Sequence, residues 1–184
     1  MTQIIVLSSS VRKGRKSHRV ALYLKGLLES RSDVVVDLLD LKVYDFPLFE
    51  ERFQFLEEKS DSLLDFTARL KRADGMIIVS PVYNGGYPAA LKNVIDLYYR
   101  EWHHKIVALT SVTDGKVPGV TTLTEIQRLL LKLGAVVSPA SVTVTEVDKL
   151  LEEDGNATDP VLVEKIFSPM LNDLMWLTEK LSDV

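Results

Sequence analysis

Two loops hold the residue types that could do chemistry. The first, Ser8 to Val20, reads SSSVRKGRKSHRV: three serines, then Arg12, Lys13, Arg15 and Lys16, then Ser17, His18 and Arg19 opening a helical pattern. A helix N-terminus presents unpaired N–H groups and a partial positive charge, which suits a phosphate. Serine hydroxyls add hydrogen bonds, and an arginine can engage two phosphate oxygens at once. The competing reading is an exposed basic loop with serine caps. The second loop follows the apolar run Met76–Val79 and reads PVYNGGYPAALKNVIDLYY from Pro81 to Tyr99. Gly85 and Gly86 let bare backbone N–H groups approach a flat ligand, with Tyr83 and Tyr87 beside them.

Composition removes several classes of chemistry. Cysteine is absent, so disulfides, thiol catalysis and cysteine–metal sites are excluded, and redox chemistry requires a bound cofactor. A formal charge of −4 argues against a general nucleic-acid binder. No stretch approaches the ~18 consecutive apolar residues of a membrane span, and the N-terminal apolar residues precede the basic ones, the reverse of a signal peptide. The expectation is a cytoplasmic protein with no membrane partner. The Gly14-Arg15-Lys16-Ser17 run has one residue too many for a Walker loop, and Ser9 stands near the place of its first glycine. No Gly-x-Gly-x-x-Gly follows a strand, and no Gly-x-Ser-x-Gly elbow accompanies Ser17-His18. His103 and His104 are adjacent and cannot share a helical face, so no metal site is expected there. Glu50-Glu51 and Glu57-Glu58 read as solvated charge.

The elements that must position these loops alternate. Apolar runs at Ile4–Leu7, Val34–Leu39, Met76–Val79, Ile106–Leu109 and Val142–Val144 are the candidate strands, the third being apolar enough to lie between two helical layers. Helical stripes run through Val20, Leu24, Leu27 and Leu28, through Leu91, Val94, Ile95 and Tyr98, and through Leu123, Ile126, Leu130 and Leu133. Ser60 to Arg72 begins with good cap residues, and Asp159-Pro160 is a cap followed by a first-turn proline. Pro169 predicts a kink or a fresh helix start. Alternating strands and helices imply a doubly wound parallel α/β sheet, in one domain over residues 1–184. Five strands favour the flavodoxin-like order 2-1-3-4-5, whose ligand crevice lies beyond the carboxyl ends of strands 1 and 3, where both loops fall. Residues 44–58, with four phenylalanines, read as a flap or as a packed loop with a short helix.

With these loops on the page, the chain resembles the NADPH-dependent FMN reductase family of flavodoxin-like proteins. Ser9-Ser10-Val11-Arg12 matches that family's first loop with serine replacing glycine. Pro81-Val82-Tyr83-Asn84-Gly85-Gly86, Pro88 and Leu91-Lys92-Asn93-Val94-Ile95-Asp96 match its second. Asp40-Leu41, Pro47-Leu48-Phe49 and Ala73-Asp74-Gly75 also look like the family. The resemblance implies FMN as cofactor, its phosphate among Ser10, Arg12, Ser17, His18, and Arg15 or Arg19. It implies that Pro81, Val82, Tyr83, Asn84, Gly85 and Gly86 border the flavin ring, and that the Ser111 to Gly115 loop lines the other side. The implied activity is NADPH-dependent reduction of flavin, with electrons passed to a flavin, quinone, azo compound or metal oxyanion. No catalytic side chain is implied, because the cofactor supplies the chemistry. Electron-carrier flavodoxins are the alternative, but their Thr/Ser-x-Thr-Gly-x-Thr loop is missing. Tyr98, Tyr99 and Trp102 exceed what one short helix needs, and aromatics of this kind are enriched at interfaces. Together with the resemblance they imply a homodimer or a dimer of dimers.

Overall fold

A computed structural model describes residues 1–181 of the chain. Successive side chains of a strand point to opposite faces, so an apolar run can serve two cores at once. In β1 (Thr2–Ser8), Ile5 and Leu7 enter one core while Ile4 and Val6 enter the other. β3 (Gly75–Pro81) divides in the same way, Met76 and Ile78 against Ile77 and Val79, and is buried along its whole length. β4 (Ile106–Val112) is equally buried, whereas β2 (Val34–Asp40) is mixed, as an edge strand should be.

The strands pair in parallel in the order β2-β1-β3-β4, and β4 then pairs with β5 (Val136–Val137) and β6 (Val142–Val144). The expected order 2-1-3-4-5 is therefore present. The outermost position is shared by two short strands, and the first of them lay outside the sequence expectation. Pro139 sits between them and cannot donate to a ladder, which explains the interruption.

Helices cover both faces. α1 (Ser17–Glu29) and the later α6 (Pro160–Leu181) close one core through Val20, Leu24, Leu28, Phe167 and Leu174. On the other face α3 (Asp61–Arg72), α4 (Ala89–Leu97) and α5 (Val120–Lys132) bring Phe66, Leu70, Leu91, Ile95 and Ile126 together. A single turn, α2 (Leu41–Tyr44), follows β2 and is capped by Asp40, which accepts from the Lys42 N–H at 3.0 Å. Ser60 caps α3 by accepting from the Leu63 N–H, and Asp159 caps α6 by accepting from the Leu162 N–H. The fresh start expected at Pro169 does not occur, because α6 continues through it.

Residues 44–58 form a packed loop. Tyr44 and Phe46 meet the Phe66 ring edge-on at 5.0 and 5.3 Å, while Leu48 and Phe55 stay exposed. The aromatic excess expected at Tyr98 and Trp102 is corrected by the same core. Tyr98 stacks on Phe66 and bonds Thr67, and buried Trp102 donates Nε1–H to the Ile95 carbonyl at 3.2 Å. Only Tyr99 of the three is exposed, under the Arg52 guanidinium.

Candidate functional site

The loops leaving β1, β3 and β4 at their carboxyl ends surround a crevice of about 630 Å³. Strand order reverses between β1 and β3, and diverging loops leave such a crevice open at that point. One end is polar: Arg12, Gly14, Arg15, Lys16 and Ser17 line it. Val82, Val112 and Val117 supply an apolar wall of the kind that takes a flat ring, and Val147 lines the crevice next to Asp148, the partner of Lys16.

The polar end is built by the start of α1. No side chain caps this helix, so the N–H groups at its start lack a side-chain acceptor, while the Arg19 N–H bonds the Lys16 carbonyl at 3.1 Å. The Ser17 hydroxyl is buried and has no hydrogen-bond partner among the described residues. A buried polar group is normally paired, so an acceptor or donor is missing at this spot. Arg12 lines the crevice without an ion pair among the described residues. Lys16 is held by Asp114 and Asp148, whose hydrogen bonds raise its pKa above the ordinary value and tie α1 to the β4 loop.

The Tyr83–Gly86 turn forms the facing wall. Tyr83 and Gly86 exchange backbone hydrogen bonds at 2.8 and 3.0 Å, with Asn84 at φ 51° and Gly85 at φ 84°. Positive φ at both central positions is the type I′ pattern that Asn-Gly favours. The Thr122 hydroxyl at the start of α5 donates to the Gly85 carbonyl at 3.3 Å and steadies the turn. Tyr83 and Gly85 line the crevice with Pro81 and Val82; Asn84 and Gly86 complete the turn. Tyr87 packs against the core instead.

Other expected site residues are placed differently. Ser10 lies behind the crevice, sharing a 2.6 Å hydrogen bond with the Tyr83 hydroxyl. Arg15 reaches the crevice wall, but its guanidinium is bonded to both Asp40 oxygens and to the Ser10 carbonyl. His18 turns to the opposite side, 2.9 Å from the Ser8 hydroxyl and facing the groove beside Asp40 and Tyr44. Arg19 is turned away as well, because two residues along a helix is about half a turn from Ser17; it pairs with Asp148 and donates to the Leu151 carbonyl. Gly115 lines the crevice, while Ser111 is buried beneath Gly119 with an unpartnered hydroxyl.

Sequence reasoning missed the start of α5 as a wall. Pro118, Gly119, Thr121 and Thr122 all line the crevice. The signal was a Pro-Gly turn just ahead of the stripe beginning at Leu123. Gly119 is required by close approach: a Cβ there would stand 2.5 Å from Val82 Cγ2 and 2.6 Å from Ser111 Oγ. The whole arrangement can hold an anion at the α1 end and a planar ring between the valines and the turn.

The family model of NADPH-dependent FMN reductases matches residues 2–149. An NAD(P)H-dependent FMN reductase of Saccharomyces cerevisiae is 33% identical over 119 residues, covering 58% of this chain and 62% of that protein's length. An NADPH azoreductase of a Bacillus species is 27% identical over 176 residues, 94% of this chain and 88% of its own. A flavoenzyme NAD(P)H:(acceptor) oxidoreductase of Paracoccus denitrificans has the same fold, with a TM-score of 0.79 at 22% identity, over 97% of this chain and 98% of that one. The match runs from β1 past the last crevice-lining residue, Val147, and so takes in every wall just described: this chain belongs to the NADPH-dependent FMN reductase family.

Proposed function

We propose that the chain is an NAD(P)H-dependent flavin reductase that holds FMN in the crevice and reduces a small acceptor such as a flavin, quinone or azo compound. The observation that carries this reading is the buried, unpartnered Ser17 hydroxyl at the open N-terminus of α1, opposite the Tyr83–Gly86 turn. The phosphate then sits against Ser17, the first α1 N–H groups and Arg12. Asn84 and Gly85 offer backbone N–H groups to the polar edge of the ring, and Val82, Val112 and Val117 exclude water from its faces. When bound, FMN supplies hydride acceptance from the nicotinamide and onward electron delivery to the second substrate. The side chains contribute alignment, holding ring against ring at near-contact distance.

We also place the protein in the cytoplasm and assemble it as a homodimer. Among the described residues no helix is long and apolar enough to cross a membrane. The exposed Val11 and Leu48, which line the groove beside α4, support self-association. Sedimentation at micromolar concentration tests it, a monomer being the contrary result.

Titrating the purified protein into FMN and following fluorescence tests the site, and NADPH consumption under air with added quinone tests the activity. Quenching with saturation and steady oxidation are expected. A chain that leaves FMN fluorescence unchanged refutes the cofactor; a single partial bleaching without turnover makes it a carrier.

A further inference from the structure

Arg15 lines the crevice, yet its guanidinium is committed to the protein. Its two terminal nitrogens bond the two oxygens of Asp40 at the end of β2, and Nη1 also donates to the Ser10 carbonyl at 2.6 Å. The pair is mostly buried, with 11% and 12% of the two side chains exposed. Ser10 in turn shares a 2.6 Å hydrogen bond with the Tyr83 hydroxyl, and its Oγ accepts from the Arg12 N–H at 3.3 Å. A continuous strut therefore runs from β2, through the loop after β1, to the turn after β3. Asp40 stands outside the crevice and faces the groove beside His18 and Tyr44.

We propose that Asp40 is a positioning residue for cofactor binding, acting through Arg15, Ser10 and Tyr83 to hold both walls of the crevice in place before a ligand arrives. The proposal rests on the FMN reading above. A two-pronged arginine–carboxylate pair fixes the guanidinium in plane as well as in position, which a lysine cannot do. With Arg15 engaged by Asp40 and Ser10, the phosphate charge is met by Arg12, the Ser17 hydroxyl and the α1 N–H groups. A cradle ordered in advance loses less freedom on binding.

Asp40→Asn, Arg15→Lys, their combination and Asp40→Glu test this in the full chain. FMN fluorescence quenching reads affinity, and hydrogen exchange of the ligand-free protein reads the strut. Asp40→Asn is expected to weaken FMN about tenfold, ~1.4 kcal/mol. It should speed exchange in residues 10–16 and in residues 83–86. Arg15→Lys should do the same, the double variant should be no worse than either single one, and Asp40→Glu should recover most of the affinity. Arg15→Lys keeps the charge and decides the matter should Asp40→Asn fail to fold. Unchanged FMN affinity, faster exchange confined to residues 10–16, or additive losses in the double variant would each overturn the strut. Failure of the parent protein to quench FMN overturns the cofactor reading instead, and the exchange comparison still decides whether Asp40 orders both walls.

Discussion

Stability and binding make opposite demands at Ser17. Its hydroxyl is buried without a partner, a condition that costs about 1–3 kcal/mol in general. Ser17→Ala is accordingly expected to raise the melting temperature of the ligand-free protein while weakening FMN about tenfold, a charge-assisted hydrogen bond being roughly twice as strong as a neutral one. Thermal melts and FMN titration read the two effects separately, and a variant that loses stability without losing affinity contradicts the assignment. His18 carries a pH dependence of its own. Burial first, then the Arg15 guanidinium and Lys42, hold its imidazole below the usual 6.5, against the pull of Asp40. The unfolded chain then takes up the proton more readily than the folded one, so stability falls as pH drops below 6.5 until the folded-state value is passed. Burial pushes the Asp40 carboxyl up, but hydrogen bonds from Arg15 and the Lys42 N–H outweigh it and leave it below 3.8, so its contribution is lost only at lower pH. Melting temperature followed downward from neutral pH should decline below 6.5, and His18→Asn should flatten that first decline.

Among the elements, α5 depends on one close approach. Gly119 precedes its first turn against Val82 and Ser111, and a methyl group there has no space. Gly119→Ala should push the start of α5 off the sheet, at a cost of about 1–3 kcal/mol for overpacking. Because Thr122 holds the Gly85 carbonyl, the Tyr83–Gly86 turn should loosen with it and FMN affinity should fall. Urea unfolding and FMN titration measure the pair of effects, and full stability with normal binding would show that the wall accommodates the methyl group. The loop after β1 is held in a different manner, by ion pairs rather than by steric fit: Lys16 to Asp114 and Asp148 on one side, Arg15 to Asp40 on the other.

Across the whole molecule, the sheet divides its apolar side chains between two cores; Phe167 belongs to the one under α1 and α6, while Phe66, Tyr98 and Trp102 belong to the one under α3, α4 and α5. Trp102 is fully buried there although it follows α4 in a single 3-10 turn, Arg100–Trp102. Trp102→Ala is expected to cost about 3–5 kcal/mol of stability. Urea unfolding reads that loss, and sedimentation should give the same association state as the parent protein. A variant that dissociates at unchanged stability would return Trp102 to an interface role.

The sequence alone determined the parallel sheet, its order, the helix caps at Ser60 and Asp159, and the pair of loops at the carboxyl ends of β1 and β3. Those features follow from periodicity and local turn chemistry, which act over a few residues and leave their mark in residue order. The Asn84-Gly85 turn was legible for the same reason, since positive φ selects those residue types. Tertiary structure alone decided which cations remain free for a ligand: Arg15, Arg19 and Lys16 find carboxylates at Asp40, Asp148 and Asp114, far along the chain. It also decided that Tyr98 and Trp102 fill a core, and that α5 closes the crevice through Gly119. Charge pairing and close approach between distant segments depend on distances that only the folded chain creates.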